Sequence, residues 1–214
     1  MAAVATPAEQ RVTLCNVSWE TYERLIAEYP DIAGPCFTYD EGMLEIMVVS
    51  FEHEEPNRTL ADLVGVLAEE FGIDLLRAGS VTLKRPDLHK GFEPDSCFYF
   101  ANAPAVRGKK EIDPAIDPPP DLVIEVDVSR SSLPRFPIFA AFGVPEVWRY
   151  DGARVTTYRL EAGRYVETDH SLALLPLTGE VATRFLDESR QMPSTQWLRR
   201  VREWARSASP APGR

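Results

Sequence analysis

The run Asp121-Leu122-Val123-Ile124-Glu125-Val126-Asp127-Val128 places three carboxylates in an otherwise apolar stretch. In an extended chain successive side chains point to opposite faces, so Leu122, Ile124, Val126 and Val128 share one face, and Asp121, Glu125 and Asp127 the other. So apolar a run belongs to an interior strand, where uncompensated acids are costly. A cation should therefore lie close by, and carboxylates with water are the ligands that Mg²⁺ and Mn²⁺ prefer. The plain alternative is an acidic strand edge facing solvent. Another acid, Asp95, directly follows Pro94 and opens the alternation Ser96, Cys97, Phe98, Tyr99, Phe100. Pro-Asp at a strand start is also an ordinary turn, but if its strand neighbours that of Glu125 the two acids meet across one metal ion. Arg135 precedes Ile138, Phe139 and Phe142 by three, four and seven positions, which puts a cation on the inward stripe of a helix. There it could hold a phosphate, stabilise a transition state, pair with Asp127, or extend past the first turn to water.

The elements that must carry these residues follow from periodicity and turn chemistry. Arg11 to Asn16 reads as a strand, and Ser18 as the cap of a helix from Trp19 to Glu28 with Tyr22, Leu25 and Ile26 inward. Tyr39-Asp40-Glu41-Gly42 turns into a strand from Met43 to Val49, accessory to the core. From Glu55 to Phe71, Leu60, Leu63, Val64, Leu67 and Phe71 mark a helix that Gly72 closes. Three strands are expected next: Leu75 to Leu83 with a break at Ala78-Gly79-Ser80, Asp95 to Phe100, and Leu122 to Val128. The five prolines of 101–120 make that stretch a long loop. Ser131-Ser132 and Pro134 start a helix that Gly143 ends, Glu146 to Tyr150 is a strand, and the meander Val155 to Leu160 and Tyr165 to Thr168 precedes a helical ending. This order gives an α/β (α+β) fold with a mixed sheet flanked by helices and accessory elements at both ends. The expected division is a leader over 1–10, one domain over 11–206 and a tail over 207–214.

Composition bounds the function further. With 214 residues, 44% of them hydrophobic, the chain can build a sizeable core, which argues against a disordered or fibrous protein. Apolar runs of a few residues cannot span a bilayer, and no basic patch leads into an apolar stretch at the start, so no membrane partner and a cytoplasmic location are expected. Cys15, Cys36 and Cys97 have no zinc-like spacing and read as reduced thiols. His53, His89 and His170 fit no zinc pattern either and read as exposed or loop residues, with His53 the one to test. Trp148 and Tyr150 read as core. The net charge of −10 opposes general adhesion to nucleic acid, while the segment from Trp197 onward has five arginines against one acid. A solvated amphipathic helix with Trp197, Val201, Trp204 and Ala205 on its apolar side is the simpler reading of that segment.

Several ordered motifs carry a resemblance. Ser18-Trp19-Glu20-Thr21-Tyr22, Leu44-Glu45-Ile46-Met47 with His53-Glu54, Gly79-Ser80-Val81-Thr82-Leu83, Gly91-Phe92-Glu93-Pro94-Asp95 with Phe98-Tyr99, Pro119-Pro120-Asp121 through Val126, and Phe139 with Gly143 through Asp151 together resemble the Uma2 family of endonuclease-like proteins. The likeness implies a PD-(D/E)XK, restriction-endonuclease-like core of αβββαβ order, in which Asp95 and Glu125 bind Mg²⁺ and Glu54 assists. It aligns Arg135 with the family's lysine, and Asp127 stands at the strand position where other nucleases of this fold have lysine. Arginine stays charged and cannot activate water as lysine can, so it clamps or stabilises anionic oxygen.

The leading expectation is a Mg²⁺- or Mn²⁺-dependent endonuclease acting on DNA, with Glu54, Asp95, Glu125 and Arg135 as catalytic residues and Asp95, Glu125 and Asp127 as the metal set. The alternatives are a nuclease-fold binding or regulatory module impaired by Arg135, and a structural cation site without substrate. Cleavage of two strands suggests a homodimer, for which the terminal helix is the candidate surface.

Overall fold

The computed structural model describes residues 9–29, 34–128 and 133–208. In chain order the elements are β1 (Glu9–Leu14), α1 (Trp19–Glu28), β2 (Cys36–Asp40), β3 (Met43–Val49), α2 (Phe51–Phe71), β4 (Leu76–Gly79), β5 (Leu83–Arg85), β6 (Lys90–Phe92), β7 (Ser96–Tyr99) and α3 (Ala103–Val106). They continue with β8 (Leu122–Val126), α4 (Arg135–Ala141), β9 (Glu146–Tyr150), β10 (Val155–Glu161), β11 (Arg164–Thr168), α5 (Gly179–Ser189) and α6 (Ser194–Ala208). The succession α2, β4, β7, β8, α4, β9 gives the αβββαβ order that the resemblance implies.

Two sheets form. The larger runs β11-β10-β9-β8-β7-β4, and the smaller β1-β3-β2-β6-β5. In the larger sheet β8 pairs with β9 in parallel and with β7 antiparallel, so the mixed character arises at the strand that carries Glu125. A parallel partner needs a crossover, and α4 supplies it. The alternation read from the sequence holds. Leu122, Ile124 and Val126 join Leu60, Leu63, Leu67, Trp148, Phe185 and Trp197 in the core beneath α2, α5 and α6, whereas Val123 joins Ile138, Phe139 and Val147 on the α4 side. Phe92 and Leu83 of the smaller sheet are also buried in that second core, which ties the two sheets together. Gly91 makes the packing of α1 on the smaller sheet possible, since a Cβ there would stand 2.1 Å from the Tyr22 hydroxyl.

Several boundaries differ from expectation. β1 begins at Glu9, so Gln10 is strand; residues 1–8 lie outside the described residues. Helix α2 starts at Phe51, not Glu55, because the Ser50 carbonyl accepts the amides of both His53 and Glu54 and the helix tolerates Pro56 within its first two turns. Gly72, with φ +66°, closes it as read. The supposed single strand over 75–83 is two, β4 and β5, in different sheets, and Gly79 at φ +64° lies where the chain passes between them. The loop over 101–120 holds one helical turn, α3. Ser131-Ser132 lie outside the described residues, and α4 begins after Pro134. At the far end Ser207 and Ala208 still belong to α6; the tail beyond them is outside the described residues. Among the described residues no helix is long and apolar enough to cross a membrane.

Candidate active site

Antiparallel pairing of Ser96 with Ile124, continued by one residue, sets Asp95 opposite Glu125 on the same face. The condition placed on the acid pair is thus met: their strands are neighbours. Both side chains are buried, Asp95 at 3% and Glu125 at 6% exposure. Asp95 Oδ2 accepts the Val126 backbone N–H at 2.7 Å and lies 3.3 Å from Nε2 of His53. Glu125 Oε2 accepts Nη1 of Arg135 at 2.5 Å, while its Oε1 is buried without a hydrogen-bond partner.

Arg135 is the first residue of α4, so its side chain starts beside the sheet rather than along the helix. Its Nη2 also reaches Glu45 Oε1 at 3.3 Å, and Glu45, fully buried on β3, accepts Arg11 Nη1 at 2.9 Å. Arg11 on β1 continues to Asp127 Oδ1 at 3.7 Å. Asp127 in turn accepts Arg149 Nη2 at 2.6 Å and Nε at 3.1 Å. The cation demanded by the acidic strand face is therefore supplied by three guanidiniums. Of these groups Arg11, Glu125, Asp127, Arg135 and Arg149 line a cavity of about 290 Å³, whose remaining lining, Leu133, Pro134, Phe136 and Phe139, is apolar.

Burial shifts the protonation of these groups in opposite directions. Glu125 is raised, first by burial and further by Asp95, with Arg135 opposing. Asp95 is also buried, yet His53, Arg135 and the Val126 amide outweigh desolvation and hold it below the usual carboxylate range. Two carboxyl groups whose surroundings push them apart in this way divide the roles of acid and base in many active sites. Burial pulls Arg135 down, but Glu125, Asp95 and Glu45 more than compensate, so the guanidinium stays charged. The neighbouring Cys36 thiol is pushed up to about 12 by burial and then by Glu93 and Asp95.

Not every expected residue converges. Asp121 leaves the group altogether: its Oδ2 accepts the amides of Phe100 at 2.6 Å and Asn102 at 3.0 Å, and so closes the start of the long loop. Glu54 is partly exposed and receives Arg58 Nε at 2.5 Å, while the preceding residue, His53, is the one that turns inward to Asp95. His53 is fully buried, contrary to its reading as an exposed or loop residue; His89 and His170 are exposed as read. Arg11, Glu45 and Asn57 also belong to the site and escaped sequence reasoning, whereas His53 is the histidine that the sequence marked for testing. Glu45 alone left a signal, a single acid inside the apolar run Met43-Leu44-Glu45-Ile46-Met47.

A mixed sheet with opposed acids on adjacent central strands and a guanidinium from the crossover helix defines a restriction-endonuclease-like nuclease framework. Residues 19–185 match the Uma2 family, described as "Putative restriction endonuclease". The chain belongs to that family. Among solved structures it is similar to one titled a "putative nuclease belonging to DUF820" from Anabaena variabilis ATCC 29413, with 14% identity, a TM-score of 0.49, and coverage of 75% of this chain and 98% of that one. No curated protein matches.

Proposed function

We propose that this protein is a Mg²⁺-dependent endonuclease that hydrolyses phosphodiester bonds of DNA at the Asp95–Glu125 pair. One observation carries this reading: Glu125 Oε1 is buried without a hydrogen-bond partner beside a second carboxylate held in its ionised form. An unsatisfied buried acceptor is costly, and a hard divalent cation suits it. Among the described residues no group of three metal-ligating side chains occurs. Two carboxylates nevertheless fit Mg²⁺, which is commonly held by one or two acids and completes its shell with water and substrate phosphate. Asp95 and Glu125 would hold the ion; Asp127 would join only on release from Arg149 and Arg11. The chemistry such an ion supplies is charge neutralisation at phosphoryl oxygen and acidification of water. Arg135, fixed by Glu125 and Glu45, stabilises developing negative charge and cannot serve as a base. Glu54, partly exposed and paired with Arg58, is the candidate assisting acid. The apolar side of the cavity, with Phe136, suits the non-ionic part of a nucleotide.

The test combines calorimetry of Mn²⁺ binding with plasmid nicking. Glu125→Gln should abolish the binding, and Asp95→Ala and Glu125→Ala should abolish nicking; cleavage that survives in both alanine variants overturns the assignment. A second reading, a nuclease-fold module without turnover, draws on the 2.5 Å Arg135–Glu125 pair, since the guanidinium already occupies one oxygen of the proposed ligand. Metal binding without nicking by the wild type, with nicking gained in Arg135→Lys, supports that module.

A further inference from the structure

We propose that His53 and Asn57 are positioning residues that hold Asp95 from two sides, so that helix α2 sets the geometry of the acid pair. This rests on the nuclease reading for its purpose, though its geometry is independent of it. The two residues are one turn apart on α2 and therefore share a face. Both are buried, and both face the start of β7 rather than the apolar core that Leu60, Leu63 and Leu67 enter further along the helix. His53 Nε2 lies 3.3 Å from Asp95 Oδ2. Asn57 Nδ2 donates to the Asp95 backbone carbonyl at 3.1 Å, and Asn57 Oδ1 accepts the Ser96 hydroxyl at 2.8 Å.

These contacts constrain different freedoms. Asn57 uses both ends of its amide on two consecutive residues, which fixes the backbone where Pro94 leads into the strand. His53 and the Val126 N–H both act on Oδ2, so the carboxylate cannot rotate without breaking both contacts. Asp95 Oδ2 is thereby anchored from two elements, α2 and β8. A helix serving only to pack would place apolar residues at these two buried positions, because buried polar groups destabilise unless they are bonded. In metal sites, partners of this kind that orient a ligand typically contribute 10–100-fold to affinity.

Two readouts separate positioning from mere stability: Mn²⁺ affinity by calorimetry, and hydrogen exchange of the Val126 amide by NMR. His53→Phe, which keeps bulk but removes the donor, should weaken Mn²⁺ binding by about 10–100-fold. Its Val126 amide should exchange several-fold faster, while the mid-strand amides of Val123 and Ile124 hold. Asn57→Leu should move both readouts in the same direction. His53→Gln, which restores an N–H donor, should recover most of the loss. Unchanged Mn²⁺ affinity and unchanged Val126 exchange in folded His53→Phe overturn the proposal, as does failure of a folded His53→Gln to restore either. If the wild type binds no Mn²⁺, the nuclease reading falls, and Val126 exchange alone decides whether the clamp exists.

Discussion

At the residue scale, Arg135 joins buried acids of both sheets. It is 9% exposed and neutralises acids that are themselves out of water, Glu125 from the larger sheet and Glu45 from the smaller. Removing one partner of a buried ion pair leaves an uncompensated charge, so Arg135→Met should lower unfolding free energy by about 3–5 kcal/mol. Denaturant titration checks this; a loss below about 1 kcal/mol would mean that the pair is solvated in solution. A second buried acid gives a pH signature. Glu146 accepts Trp148 Nε1 at 2.7 Å and the Ala173 amide at 3.0 Å, yet burial raises its pKa against those bonds. A group raised in the folded state contributes stability below the ordinary carboxylate range and loses it as pH climbs through the raised value. The wild-type melting temperature should therefore fall relative to that of Glu146→Gln as pH rises above the ordinary carboxylate range. Parallel profiles would show that Glu146 titrates normally.

At the scale of elements, α6 separates apolar packing from surface charge. Its arginines form a row of ion pairs: Arg200 with Glu188, Arg202 with Glu69 and Glu70, and Arg206 with Glu70. The other side buries Trp197, Val201 and Ala205 against α2 and α5, and Trp197 Nε1 donates to the Phe185 carbonyl at 2.7 Å. The apolar side is thus committed to the core, and Arg200, Arg202 and Arg206 engage acids of the same chain. Trp197→Ala should cost about 3–5 kcal/mol, whereas Arg206→Ala, an exposed pair, should leave the melting temperature within experimental error; equal losses would contradict this division. Elements with a local code were legible in the sequence. Ser18 accepts the Thr21 amide at 3.2 Å as a cap should, Gly72 ends α2, and the β8 alternation correctly assigns both faces. The two sheets were not legible, because β4 and β5 lie in one sequence stretch and only non-local pairing separates them. For the same reason half of the site was hidden. Glu45 meets Arg11 across 34 positions and Arg135 across 90, distances over which periodicity and turn chemistry carry no signal.

For the molecule as a whole, the acid cluster lies where the two sheets meet. The region of family likeness, 19–185, contains Asp95, Glu125, Glu45 and Arg135 but omits β1 and α6. A fragment trimmed to 19–185 should lack a cooperative thermal transition: it would lose Arg11 from Glu45 and expose the core beneath Trp197. A sharp calorimetric transition in that fragment would show that both ends are dispensable. The thiols lend themselves to following this seam. Burial pushes both Cys36 and Cys97 to about 12, leaving them protonated and slow toward electrophiles, whereas Cys15 is exposed one residue beyond β1. A maleimide dye should therefore attach at Cys15 in the unmutated chain, four residues from Arg11. Its emission would serve as an optical gauge of whether the first strand stays seated when divalent ions or oligonucleotides are added.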